Sequence, residues 1–310
     1  MELSILLAQQ IVSLFLYVAA GYVSVKTGVM KSEDSKVISN MVVYICSPCM
    51  TIASFQIKLT QDKVQGLVIA LIVSVLIHIF MVVGTWLLKK PLNLNNIERA
   101  SIIYSNSGNL IIPLVAAVLG KEWVFYTTAF IIVQTVLMWT HGVRLIGQRT
   151  EINYKEIFLN PNIIAIVIGF FLFVLEIHVP EVIGTCLNGF GTMIGTAGMF
   201  VIGMTIGNMN LGWVFSRKRP YFICLIRLIV YPVIAAILFS MAARMGIHKD
   251  AEYIMLVVLL ATAAPAAAMV TQMAQIYDQD AKYASVINVM SIIFCIVTMP
   301  LMVMLYEMLV

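Results

Sequence analysis

What most constrains this chain is the recurrence, from one end to the other, of apolar runs of about 18 residues or more, separated by short charged or proline-marked connections. As helices, runs of that length match the hydrocarbon thickness of a bilayer. In lipid only helices and closed barrels satisfy every backbone polar group internally. Ten such runs are expected, at about 4–25, 35–57, 64–88, 99–119, 122–145, 161–177, 180–208, 220–243, 252–275 and 281–306. Composition agrees, because 61% of residues are hydrophobic and 11% charged, whereas soluble domains are roughly a quarter charged. The fold class is an all-α polytopic membrane protein.

Several runs open on helix-start signals: Asn160 before Pro161, Pro180, Pro220, and Asp250 and Asp278 ahead of the last two. The chain begins with Glu2 and enters a full-length span near Ser4. It lacks the basic start and short apolar core of a signal peptide, so the N-terminal span is expected to be retained. The net charge of +4 comes with no Lys/Arg run beyond Arg217–Arg219, which argues orientation rather than nucleic-acid binding. Five cysteines lie within apolar segments and read as small hydrophobes. Cys46 and Cys49 form a CxxC, but Pro48 separates them and neither a second pair nor a neighbouring histidine completes a metal or redox motif.

Lys and Arg set the orientation. The odd-numbered connections hold Lys26, Lys31, Lys36, Lys89, Lys90, Arg99, Arg144, Arg149, Lys155, Arg217, Lys218, Arg219 and Lys282. The even-numbered ones hold only Lys58, Lys63, Lys121, Arg244 and Lys249. Both termini are therefore expected outside, in the cytoplasmic membrane of a cell. With five spans per half, residues 1–146 and 161–310 become two inverted repeats joined by a cytoplasmic connection at 147–160. Carriers built this way place discontinuous helices together near the bilayer midplane.

Spans four and nine have the marks of such helices. SNSGNLIIPL, Ser105 to Leu114, puts Ser105, Asn106, Ser107, Asn109, Gly108 and Pro113 in an otherwise apolar run. Pro265, in ATAAPAAAMVTQMAQ, follows Pro113 by 152 residues at a matching depth. Proline lacks the amide hydrogen and crowds the carbonyl four residues back, so Pro113 should free the Asn109 carbonyl and Pro265 that of Ala261. Half-helix N-termini at such breaks attract anions without a buried full charge. Asn106 and Asn109, three apart, share a helix face and can donate to a carboxylate. The bland alternative is a kink whose amides join neighbouring spans; the paired break favours a site. Thr262 is assigned to that site. For Thr271 and Gln272 the two readings balance. Ser47, beside Pro48 in span two, and the glycine-rich span seven read as walls, with Ser47 within reach of substrate.

Ionisable groups inside the membrane are functional suspects. His78, mid-span, either carries a coupling proton or is a neutral hydrogen-bonding group in the bundle. Arg227, about two turns into span eight, either pairs with a substrate carboxylate or snorkels toward Arg217–Arg219; the snorkelling reading is preferred. No Asp or Glu falls mid-span, which counts against cation exchange.

Five segments, in order, are similar to the auxin efflux carrier family, whose bacterial members have this length: GYVSVKTGVM, NSGNLIIPL, NPNIIAIVIG, GMFVIGMTIG, and APAAAMVTQMAQIYDQDAKYAS running on to Thr298 and Pro300. The resemblance covers essentially the whole chain. It implies ten helices as two inverted five-helix repeats with broken crossing helices four and nine, an architecture shared with bile-acid symporters and sodium/proton antiporters. It also implies transport of an organic anion such as malate, malonate or an auxin-like acid. The family's fourth-span asparagine and proline fall on Asn106 and Pro113, and its ninth-span proline on Pro265. Ile111 stands where many members have a small residue.

The expected function is alternating-access transport of a small organic anion, with spans one, two, six and seven moving against the rest. A sodium- or proton-coupled symporter of a larger amphipathic anion is the alternative. An HExxH, a nucleophile elbow and clustered intramembrane acids are all missing, so an enzyme is not expected. The expected partners are the anion and the lipid bilayer, with a coupling ion and a homodimeric second copy left open. No cofactor, metal or nucleic acid is expected.

Overall fold

The computed structural model describes the backbone of residues 2–148 and 158–310. Helices α1 (Glu2–Lys26), α2 (Ser32–Ser54) and α3 (Gln61–Leu88) come first. Then α4 (Asn96–Ile103) stops, an extended segment occupies 104–106, and α5 runs through 107–118. Next come α6 (Lys121–Gly147), α7 (Pro161–Val174), α8 (Glu181–Gly207), the short α9 (Leu211–Ser216) and α10 (Lys218–Arg244). A second interrupted pair, α11 (Ala251–Ala263) and α12 (Ala268–Ile276), leads to α13 (Ala281–Leu309). Among the described residues six helices are long and apolar enough to cross a membrane, namely α2, α3, α6, α8, α10 and α13. Most of the 147–160 connection, Arg149 and Lys155 included, lies outside the described residues.

Helix starts follow local chemistry. The Asn160 side chain accepts from the amides of Asn162 and Ile163 and caps α7, whose first residue is Pro161. Thr60 caps α3 and Asp280 caps α13 in the same way.

Proline acts differently from the sequence expectation at one of the two interruptions. Pro48, Pro113 and Pro232 each sit just after a π-helical turn, at Val42–Cys46, Ser107–Ile111 and Ile226–Val230. A widened turn shifts the backbone hydrogen-bond register and absorbs the missing donor, so the helix continues. The first break accordingly lies at 104–106, upstream of Pro113, while Pro265 lies inside the second break. The offset between the hydrogen-bonded breaks is set by Ser105 and Ala266 and not by the two prolines.

The core is centred on the interrupted helices. In α11 every residue from Ile254 to Ala263 is buried, and so is all of α4 from Ile97 onward. Around them α3, α6, α10 and α13 pack on α4, α11 and α12. Helices α1, α2, α7 and α8 pack chiefly on one another. There α1 and α8 touch backbone to backbone. A Cβ on Gly203 would fall 1.9 Å from the Val18 carbonyl oxygen, and one on Gly21 would fall 2.1 Å from that of Phe200. Glycine permits this close approach, as is usual where helices associate in lipid.

One buried carboxylate ties three helix starts together. The Glu98 carboxylate accepts from Arg219 through Nε (2.8 Å) and Nη2 (3.0 Å), from the Tyr283 hydroxyl (2.8 Å) and from the Asn95 amide (3.0 Å). The side chain of Glu98 is 3% exposed, so its charge depends on these donors. Glu98→Gln preserves shape but removes the charge-assisted pair, and should cost about 2 kcal/mol. Thermal unfolding of the purified protein measures this, and an unchanged melting temperature would refute the anchoring role.

Candidate functional site

The two breaks meet. Ser105 and Ala266 form an isolated antiparallel bridge; the Asn106 amide donates to the Pro265 carbonyl (2.8 Å), and the Ala267 amide to the Tyr104 carbonyl (3.0 Å). Non-helical backbone in the interior of a membrane protein is tolerated only where other groups complete its hydrogen bonds. Here each break partly completes the other.

The peptide groups of Ser105 and Ala266 are satisfied by the helix that follows each interrupted pair. On the first, the Gln134 carboxamide of α6 acts as a surrogate peptide. Its Oε1 accepts from the Ser105 amide (2.9 Å) and hydroxyl (2.8 Å), while its Nε2 donates to the Ser105 carbonyl (2.8 Å) and the Ser107 hydroxyl (3.0 Å). On the second, the Ser291 hydroxyl of α13 accepts from the Ala266 amide (3.0 Å) and Asn288 Nδ2 donates to the Ala266 carbonyl (2.6 Å). None of the three was expected from the sequence: each stands among other amides and hydroxyls of its span, and nothing local distinguishes it.

Arg227 completes the arrangement and corrects the snorkelling expectation. Its side chain runs inward, is 1% exposed, and donates Nε (3.1 Å) and Nη2 (2.9 Å) to the Ala264 carbonyl and Nη1 to the Ile102 carbonyl (3.0 Å). The Ile103 carbonyl and the Met81 sulfur are further partners of Nη1. Arg227 thus meets helix C-terminal carbonyls rather than a carboxylate.

Of the residues expected at the site, Asn106 and Pro265 are brought together at the break. Asn106 is 6% exposed, and its backbone amide holds the Pro265 carbonyl. The side chains of Asn109 and Pro113 lie outside the described residues; their backbone belongs to the π turn and the helix beyond it. Thr262 is fully buried, one turn before the break, and its hydroxyl donates to the Val258 carbonyl of its own helix (2.8 Å). Ser47 is apart from this cluster and donates to Asn162 Oδ1 (2.6 Å) across α2 and α7. Ile111 is wholly buried. His78 is also buried, with Nδ1 donating to the Ser74 carbonyl (2.6 Å), the ring against Phe130, and Nε2 unpartnered among the described residues. Tyr104 donates its hydroxyl to the Leu137 carbonyl (3.0 Å) and meets His141 Nδ1 at 2.7 Å.

A helical membrane protein whose core is two interrupted helices hydrogen-bonded at their breaks has the build of a transporter rather than of a channel-free structural bundle. The chain belongs to the membrane transport protein family: the model of that family matches residues 6–157 and 150–303. This is the auxin efflux carrier family that the five motifs resemble. The chain is also 23% identical over 279 residues to an uncharacterized transporter of Methanocaldococcus jannaschii, across 86% of this chain and 87% of that one.

Proposed function

We propose that this protein is a secondary transporter that moves a small organic anion, a carboxylate such as malate, malonate or an auxin-like acid, across the cytoplasmic membrane by alternating access. The observation that carries the reading is the pairing of the two interrupted helices at Ser105 and Ala266, with Asn106, 6% exposed, beside the bridge. An uncharged polar side chain at an interior break between two half-helix starts suits a ligand. Helices α5 and α12 both begin there, and helix N-termini favour negative charge.

In this reading the chain is two inverted five-helix repeats, residues 1–146 and 161–310, with both termini outside. Asn106 and Asn109 donate to the carboxylate, Pro265 shapes the start of α12, and Pro113 follows the π turn that opens α5. Thr262 supports the break, and Ser47 lines the facing wall. The group α1, α2, α7 and α8 moves as one body past the interrupted helices, because its closest packing is internal.

The test is flux in proteoliposomes with a panel of mono- and dicarboxylates, with and without imposed proton and sodium gradients. Saturable uptake of at least one carboxylate is expected. The absence of flux across the panel would refute the substrate class.

A further inference from the structure

We infer that Arg227 is a positioning residue which holds both breaks in register and gives the site its fixed positive charge without touching the substrate; the second half of this statement rests on the proposed function. One planar guanidinium reaches both interrupted helices at their C-terminal ends. On α4 it binds the Ile102 and Ile103 carbonyls, and just beyond α11 it binds that of Ala264 twice. Those ends carry the partial negative charge of the helix dipoles, and their last carbonyls have no intrahelical partner. A buried cation without a carboxylate is costly unless such groups surround it. Here the carbonyls and the cation satisfy each other.

The placement follows from the backbone. Arg227 lies in the π turn Ile226–Val230, where a widened turn precedes Pro232. Met81 Sδ lies 3.6 Å from Arg227 Nη1. The chain connects the clamp directly to the site. Ala264 precedes Pro265, whose carbonyl holds the Asn106 amide, and Ile103 precedes Tyr104, whose carbonyl holds the Ala267 amide. Releasing the clamp should therefore loosen both inter-break hydrogen bonds together.

The consequence for recognition is a division of labour. The guanidinium donors already have carbonyl partners, so a substrate carboxylate is met by the Asn106 side-chain carboxamide and the opposite helix ends. The net charge of Arg227 still biases the surrounding low-dielectric region toward anions. Lysine keeps the charge but lacks the fork that spans two helices.

The experiment is hydrogen–deuterium exchange of the purified full-length protein, comparing wild type with Arg227→Lys and Arg227→Met. In both variants the amides of Asn106 and Ala267 should exchange roughly tenfold faster or more, with α3 and α8 unchanged. Wild-type exchange at either amide in Arg227→Lys would overturn the clamp, whether or not Arg227→Met folds. This readout needs no substrate, so it decides the clamp even if the carboxylate panel gives no flux. For a carboxylate that the wild type transports, Arg227→Lys should retain uptake with a KM within about threefold, whereas Arg227→Met should raise KM at least tenfold. Equal KM values in the two variants would overturn the role of the charge.

Discussion

Replacing Asn106 by alanine should abolish or nearly abolish carboxylate uptake while leaving the protein folded and present in the membrane at wild-type abundance. The two jobs of this residue are separable. Its backbone amide holds the second break through the Pro265 carbonyl, and alanine keeps that bond. Alanine removes only the carboxamide, which neither inter-break backbone hydrogen bond uses. What is lost is a hydrogen bond to an anion in a water-poor interior, about 1.5–3 kcal/mol, or roughly 10- to 100-fold in uptake. Uptake and surface abundance must be measured on the same membranes. Wild-type uptake in Asn106→Ala would remove the residue from the site, and lost abundance would show a structural role instead.

The second large effect is expected at a glycine far from the breaks. Gly203→Ala should lower the melting temperature sharply and reduce the amount of protein in the membrane. The new Cβ would meet the Val18 carbonyl oxygen at 1.9 Å and the Tyr22 amide nitrogen at 2.8 Å, and neither is a side-chain tip that can swing away. The reciprocal contact of Gly21 with the Phe200 carbonyl would be broken when the helices part. The cost should be about 3 kcal/mol, the top of the usual range for overpacking. Gly189, one residue type and one helix in common, has nothing within 4 Å of its Cβ position, so Gly189→Ala is the control and should be tolerated. If the two variants melt alike, α1 and α8 do not depend on backbone contact.

Both predictions bear on how much was legible in advance. The apolar runs located the helices to within a few residues, because bilayer thickness and helical rise leave little freedom. Asn160 and Pro161 placed the start of α7 correctly through local capping chemistry. The glycines of span seven announced close packing but not its partner. They read as walls beside the interrupted helices, yet Gly203 and Gly207 lie against α1.

Pro113 is the instructive miss. Its chemistry predicts a disrupted helix, and a disruption exists, but the backbone ahead of Pro113 forms a π turn that continues into helix, and the chain leaves the helix at Tyr104 instead. Choosing between a break and a widened turn depends on which partners await the freed groups, and those partners are distant in sequence. Gln134, Asn288 and Ser291 make the extended segments affordable in free energy, and no local pattern points to them.

The sequence by itself determined a polytopic helical membrane protein and the neighbourhood of its two interruptions, because hydropathy, capping and proline act over a few residues. Only the tertiary structure decided that the breaks pair at Ser105 and Ala266, and that Arg227 turns inward to bind both. Hydrophobic periodicity carries no information about which carbonyl a buried guanidinium will find. That choice is made by the packing of α10 against α4 and α11, where leaving either partner unsatisfied in a low-dielectric interior would cost several kcal/mol.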